Sequence, residues 1–214
     1  MSDVSGSAAG AGGGEPQDVH PALAAVLALE EPAAEHEAMW MDGAMPLRVT
    51  AYVGTEHTPR LPLEIISSIR CIVRVGDKYL FCENKSSRHP WPGGRRIAGE
   101  SFAETAVREV HEETGWLLDE ESLRPLGWLR LRNLGPEPEG NEGPYPDFLQ
   151  LVFVGTATER DGGLSPDAPW DDVDGYELES ALVTLEDAIE RTSTDMHAQV
   201  FLKLLREDKP GLFG

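Results

Sequence analysis

Three carboxylates stand close together in one short segment of the chain. Glu109, Glu112 and Glu113 occupy relative positions 0, 3 and 4, which on a helix fall on one face, about 5–6 Å apart between Cβ atoms. Like charges at this spacing repel, and no Lys or Arg on the same face is spaced to pair with all three. Carboxylate oxygens favour a hard cation, and Mg²⁺ commonly bridges carboxylates to substrate phosphates. The segment therefore predicts a site for Mg²⁺ or Mn²⁺.

The flanking residues predict the helix that presents these carboxylates. Ser101 and Glu104 have the S-x-x-E spacing of a capping box, and Gly115 can adopt the left-handed conformation that ends a helix. Apolar residues recur between them at helical spacing, so one arc should pack on a sheet while the acidic arc faces outward. We therefore expect a helix over 102–114. The Gly- and Pro-rich loop at 92–99 leads into its amino end, where backbone amides suit anions.

An isolated E-x-x-E-E run is usually only a solvated helix face. Here a glycine loop, a further glutamate and an arginine precede it in register, and together they resemble a known pattern. The pattern G-x5-E-x7-R-E-U-x-E-E-x-G-U, with U a bulky apolar residue, is the signature of the Nudix hydrolases. Its nine positions are occupied here by Gly94, Glu100, Arg108, Glu109, Val110, Glu112, Glu113, Gly115 and Trp116. Trp116 departs from the usual aliphatic residue, and we interpret it as a packing variant.

The resemblance implies an α/β (α+β) fold in which a mixed sheet is sandwiched between helices, an α/β/α sandwich over residues 45–206. The sequence pattern alone allows only α/β or α+β. It predicts strands at 47–53, 66–75, 79–83, 123–133, 148–157 and 178–183, with helices at 185–191 and 195–206 after the signature helix. On one face of the 123–133 strand we expect Leu123, Leu129 and Leu131.

The ends of the chain differ in composition from this domain. Residues 1–42 form an acidic Gly/Ala-rich tail without Lys or Arg, and we expect 1–18 to be disordered. A short helix is predicted over 21–30, whose leucines could dock on the domain or on a second subunit, so that a homodimer stays open. Residues 207–214 are a carboxyl-terminal tail.

The resemblance also implies the chemistry, hydrolysis of a diphosphate linkage in a nucleoside diphosphate joined to another group X. Glu109, Glu112 and Glu113 would hold Mg²⁺ (or Mn²⁺), and Glu109 is the first choice for the general base. Glu112 and Arg108 complete the predicted catalytic set, with Arg108 orienting carboxylates through its forked guanidinium. Glu100 is either a structural partner or a metal ligand. Alternative bases are the loop carboxylates Asp171, Asp172, Asp174, Glu177 and Glu179.

Candidates for substrate contact lie around the loop and on the sheet. Gly93, Gly94, Arg95 and Arg96 would meet phosphates, although each arginine could equally face solvent. We expect Arg130 and Arg132 to face either the substrate cleft or a solvent-exposed face of the sheet. Four aromatic side chains either stack on a base or pack in the core: Trp91, Trp128, Tyr145 and Phe148.

The class of substrate is inferred by excluding other classes. The chain lacks the sequence marks of family members that act on NADH, coenzyme A, ADP-ribose or dinucleoside polyphosphates, which leaves a nucleoside triphosphate or a related nucleotide. The alternative function is a nucleotide-sensing module that binds without turnover.

Net charge and hydropathy limit the classes of partner and the location that we expect for this protein. The net charge is −20, from 18 basic and 38 acidic residues, so long-range repulsion disfavours nucleic-acid polymers and anionic membranes. A small phosphorylated nucleotide can still bind as a substrate when bound cations make the local electrostatic potential positive. No run approaches the roughly 18 apolar residues of a membrane span, and no basic residue precedes Arg48 as a secretory signal requires. We therefore expect a cytoplasmic protein.

Overall fold

Seven strands form one mixed sheet in the computed structural model, which describes residues 19–40, 43–84, 90–172 and 177–207. The expected disorder of 1–18 and the side chain of Asp174 lie outside these ranges. The strands are β1 (Ala34–Trp40), β2 (Met45–Val53), β3 (Ile66–Val75), β4 (Lys78–Asn84), β5 (Trp116–Asn133), β6 (Asp147–Arg160) and β7 (Glu177–Val183). Their order in the sheet is β1-β2-β5-β6-β3-β4-β7. The pair β3 and β6 is parallel, and the remaining neighbours are antiparallel.

Helices cover both faces of the sheet. They are α1 (Pro21–Leu27), α2 (Phe102–Thr114), α3 (Leu185–Arg191) and α4 (Met196–Arg206). One apolar cluster joins α1 and α2 to one face, through residues such as Leu23 and Val110. A second cluster joins α3 and α4 to the other face, through Ala188 and Phe201. The predicted α/β/α sandwich is therefore confirmed, and no described helix has the length and apolar content needed to cross a bilayer.

The amino-terminal segment belongs to this sandwich, which corrects the expectation of a tail up to residue 42. Residues 34–40 form β1, which pairs with β2 along its whole length. The helix predicted over 21–30 ends at Leu27, and its Leu23 and Val26 are fully buried against the domain. Of the two docking options for this helix, the structure has the one within the same chain.

A gap between β3 and β4 accommodates the loop that leads to α2. These two strands pair only at their connected ends, Arg74 with Tyr79 and Val75 with Lys78. Further along β3, the amides of Ile69 and Cys71 instead donate to backbone carbonyls of the 90–95 loop, at 3.0 and 2.9 Å. The loop thus takes the place of a strand and is hydrogen-bonded to β3.

Irregular pairing changes the face that β5 presents. Register shifts against β6 fall between Asp119 and Arg124 and again between Pro125 and Gly127. As a result Leu123 packs against the α1/α2 cluster, whereas Leu129 and Leu131 belong to the α3/α4 cluster. The expectation that these three leucines share one face was wrong, because the bulge between Pro125 and Gly127 reverses the alternation of side chains between Leu123 and Leu129.

Candidate active site

The helix that carries the acidic residues has the boundaries that its sequence predicts. The Ser101 side chain accepts from the Glu104 amide at 3.1 Å, and the Glu104 carboxylate accepts from the Ser101 amide at 2.7 Å. At the other end Gly115 adopts φ 71° and donates to the His111 carbonyl. These caps satisfy backbone groups that a helix end otherwise exposes. They fix the residues at which α2 begins and ends.

Arg108 lies at the centre of the acidic cluster. Its Nε contacts Glu100 Oε1 at 2.7 Å, and its Nη1 contacts Glu109 Oε1 at 2.8 Å and Glu112 Oε2 at 2.9 Å. Its Nη2 also donates to the Arg95 carbonyl at 3.0 Å. The guanidinium therefore bonds to three carboxylates at once. Of the three glutamates at relative positions 0, 3 and 4, Arg108 thus pairs with Glu109 and Glu112.

The charges around Arg108 shift its own pKa and that of Glu100. Hydrogen bonds from Arg108 lower the pKa of Glu100 to about 2. The same bonds, led by those to Glu100, raise the pKa of Arg108 above its ordinary value. Glu100 is thus held as a carboxylate that fixes Arg108, whose remaining donors reach Glu109 and Glu112.

Glu109 is buried, whereas the sequence had suggested an outward-facing acidic arc. The residue is only 8% exposed, and its carboxylate lies beside Gly94. A Cβ built at that glycine would lie 2.5 Å from Glu109 Cδ, which is closer than any real contact. Burial raises the pKa of Glu109, against the opposing effect of Arg108. A buried carboxylate with a raised pKa is a stronger base than an exposed one.

Glu113 reaches the glycine loop. The Gly93 amide donates to Glu113 Oε2 at 2.9 Å. Gly93 has φ +147°, and a Cβ there would lie 2.9 Å from Arg70 Cα, so only glycine fits this close approach to β3. The contact joins the loop to the third glutamate of the cluster.

The two loop arginines predicted to meet phosphates face solvent in this structure. Arg95 and Arg96 are both exposed. Arg96 donates to the Glu100 carbonyl at 3.3 Å, and its guanidinium lies 5.2 Å from the centre of the Phe102 ring. The side chain of Arg96 therefore packs on the start of α2.

The donor set has the chemistry of a site for a hard cation. Three carboxylates, from Glu100, Glu109 and Glu112, face a single guanidinium, so negative charge is in excess there. The bonds to Arg108 use one oxygen of Glu109 and one of Glu112. Within the described ranges no three acidic, His or Cys side chains are already grouped as a metal site. What these residues offer to Mg²⁺ is thus their donor type and charge, and not a preformed coordination geometry.

Trp170 also contacts α2, and the sequence offered no signal for it. Its Nε1 donates to the Glu112 carbonyl at 3.0 Å. Its ring lies against Gly115, where a Cβ would be 2.6 Å from Trp170 Cδ2. The loop after β6 thereby covers the end of α2, next to Glu112. Among the loop carboxylates on it, Asp171 is exposed and Asp172 is half-buried.

Two arginines of β5 form a buried ion cluster. Arg130 Nε contacts Asp147 Oδ1 at 2.8 Å, and Arg132 Nη1 contacts Asp147 Oδ2 at 2.6 Å. All three residues are buried, so the arginines lie neither on a wet sheet face nor along the cleft described next.

A cleft of about 250 Å³ crosses the sheet on the α4 side. Of the four aromatic candidates, only Trp91 lines it, together with Trp40 of β1. Trp128 is buried and stacks on Tyr52 with ring centres 4.1 Å apart, so it is a core residue. The cleft also includes Arg70, whose Nη1 donates to the Gly93 carbonyl. Arg70 thus connects the cleft to the glycine loop.

Comparison with known proteins shows a match to one protein family. The family model described as NUDIX domain matches residues 66–205. The fold resembles that of the Bacillus subtilis pyrophosphohydrolase BsRppH, at 20% identity and a TM-score of 0.54, over 84% of this chain and 99% of that one. A NUDIX hydrolase from Nitrosomonas europaea is similar at 22% identity and a TM-score of 0.43, over 67% and 87%. No curated protein matches the sequence.

Proposed function

The chain belongs to the Nudix hydrolase family, and on that premise we propose that it hydrolyses a diphosphate linkage in a nucleoside diphosphate joined to another group X. The proposed cofactor is Mg²⁺ or Mn²⁺, and the proposed substrate is a nucleoside triphosphate or a related nucleotide. The observation that supports it most is the meeting of Glu100, Glu109 and Glu112 on Arg108 beside the glycine loop.

Cleavage of a phosphoanhydride depends mainly on positioning and on neutralising charge. Mg²⁺ held by Glu109, Glu112 and Glu113 would supply the positive charge that balances the phosphates. Without it, the excess of carboxylates would repel a polyphosphate. Arg108 fixes the orientation of Glu109 and Glu112, and the contact between the Gly93 amide and Glu113 keeps the loop beside them.

We assign the general base to Glu109. It is buried, its pKa is raised by that burial, and Arg108 holds one of its oxygens. A base of raised pKa removes a proton from water more readily than an ordinary carboxylate. Glu112 is partly exposed, with 37% of its side chain accessible, which suits a group that contacts ligands from solvent. The loop carboxylates Asp171, Asp172, Asp174, Glu177 and Glu179 are the alternative bases.

The competing function is a nucleotide-binding module without turnover. It would use the same loop and cleft, but the ionised glutamates would not be needed for a reaction. A homodimer and a cytoplasmic location remain predictions that either function allows.

A turnover assay separates the two functions. The full chain is incubated with Mg²⁺ and a panel of nucleotides, and release of phosphate-containing fragments is measured for the wild type and for Glu109→Gln, Glu112→Gln and Glu113→Gln. We expect each substitution to lower kcat at least roughly a hundredfold, the scale on which a positioned acid–base group acts. Glu120→Gln, at an exposed residue of β5, is the matched control and should retain full rate. A wild type that binds nucleotides without releasing product would favour the binding module.

A further inference from the structure

Arg70 lies directly opposite Gly93, at the place where the glycine loop pairs with β3. The residues on either side of Arg70 donate their amides to the carbonyls on either side of Gly93: Cys71 to Pro92 at 2.9 Å, and Ile69 to Gly94 at 3.0 Å. A Cβ built at Gly93 would lie 2.9 Å from Arg70 Cα, so the two backbones approach closely here. The register of the loop on the strand therefore brings these two residues together.

The Gly93 carbonyl points away from the backbone of β3, so a side chain has to reach it. Successive residues of an extended segment direct their carbonyls to opposite sides, and the amides of β3 bind the carbonyls of the two neighbours of Gly93. Nη1 of Arg70 donates to the Gly93 carbonyl itself. The guanidinium thus holds a peptide group that the backbone of β3 cannot hold.

Gly93 connects Arg70 to two glutamates of the acidic cluster. Its amide donates to Glu113 Oε2 at 2.9 Å, and the next residue, Gly94, lies against the carboxylate of Glu109. Arg70 also acts on Glu109 through space: burial raises the pKa of Glu109, and the charge of Arg70 is among those that oppose the rise. A displacement of the Gly93 peptide would therefore disturb both glutamates.

We propose that Arg70 is a positioning residue for the hydrolysis, which acts through the Gly93 carbonyl to hold the glycine loop against Glu109 and Glu113. The inference rests on the proposed function, where these two glutamates receive their roles. Arg70 lies outside the signature, which begins at Gly94, so that pattern assigns no role to it. A guanidinium suits this role because it offers several donors in a fixed planar arrangement.

The first measurement needs no turnover. Arg95 and Arg96 are exposed in the glycine loop, so trypsin reports how often this loop opens. In the full chain, with no nucleotide added, Arg70→Gln has a shorter side chain that cannot reach the carbonyl. It should speed cleavage after Arg95 or Arg96 roughly tenfold, the scale set by the loss of a hydrogen bond from a charged group. Cleavage after the exposed Lys203 of α4 reports general unfolding and should not change.

Steady-state kinetics is the second measurement. A displaced loop should lower kcat of Arg70→Gln roughly tenfold or more, since small misplacements of catalytic groups are costly. KM should stay within about twofold, because no substrate contact is removed. Arg70→Lys, which keeps a charged donor, should recover much of kcat and of the resistance to trypsin. Arg74→Gln is the matched control, since Arg74 on the same strand donates to another glycine carbonyl, that of Gly76, at 2.8 Å; both measurements should stay unchanged.

Three results would overturn the inference. One is unchanged cleavage of the loop in Arg70→Gln, and another is a raised KM with kcat unchanged, the pattern of a residue that contacts the substrate. The third is equal acceleration of cleavage in the loop and after Lys203, because Arg70 would then stabilise the whole fold. Arg70→Met, which retains the apolar part of the stem, takes the place of Arg70→Gln if that variant does not fold. An inactive wild type would contradict the proposed function alone, since the cleavage experiment involves no hydrolysis of nucleotide.

Discussion

The carboxylate of Glu109 occupies space that is open only because residue 94 is glycine. A Cβ at Gly94 would lie 2.5 Å from Glu109 Cδ, and the backbone at this glycine has no left-handed φ that an alanine would strain. We expect Gly94→Ala to displace Glu109 and lower kcat roughly tenfold or more, since small misplacements of catalytic groups are costly. Steady-state kinetics checks this, with thermal unfolding to show that the fold persists.

Gly143→Ala is the control for that substitution. Its nearest neighbour would be the Asn141 side chain at 3.4 Å, an ordinary contact. An equal loss of rate in both variants would mean that Gly94 does not act through Glu109.

The link between Glu100 and Arg108 should make stability depend on pH. Because the pKa of Glu100 is about 2 in the folded protein and about 4.3 in an unfolded chain, its contribution is complete above the unfolded value. It is lost as the pH falls through about 2. The difference in unfolding free energy between wild type and Glu100→Gln should therefore be largest near neutral pH and shrink below about pH 4. Urea unfolding across this range measures it, and a constant difference would contradict the assignment.

Trp116 should serve packing and not chemistry. It is buried beside α1 and α2, and the Arg160 guanidinium lies 5.9 Å from its ring centre. Trp116→Leu should cost about 1–3 kcal/mol of unfolding free energy, because a cavity replaces part of the indole. Turnover per folded molecule should stay the same. Leu117→Ala, on the exposed side of the same strand, should change stability by less than about 0.5 kcal/mol.

Asp147 should be essential for stability because its carboxylate pairs with two buried arginines. Its removal in Asp147→Ala leaves Arg130 and Arg132 without this carboxylate, which should cost about 3–5 kcal/mol. Denaturant unfolding gives the value. Asp161→Ala, at a residue paired with the partly exposed His111, should cost no more than about 0.5 kcal/mol. Similar losses of unfolding free energy in the two variants would show that other groups balance the charges of Arg130 and Arg132.

Some features of this protein follow from short stretches of sequence. The boundaries of α2, its capping box and its Gly115 end were predictable, because each depends on residues three or four positions apart. The sandwich and its family followed from the same 23-residue signature, since that pattern specifies a loop, a helix and a set of charges at once. The hairpin strand Ile66–Val75 was also predicted with its observed ends.

The burial of Glu109, the pairing of Glu112 with Trp170 and the place of β1 at the sheet edge were decided by the tertiary structure. Each depends on how separate elements pack: Gly94 of the loop lies opposite Glu109 of α2, and Trp170 lies opposite Glu112, 58 residues earlier in the chain. The strand β1 pairs with the neighbouring β2, which in turn pairs with β5 from much later in the chain. Local propensity contains no information about such contacts, because a side chain is buried or exposed according to what packs on it from elsewhere. The sequence alone thus identified which residues are acidic and where the helix lies, while tertiary packing decided which of those acids is buried.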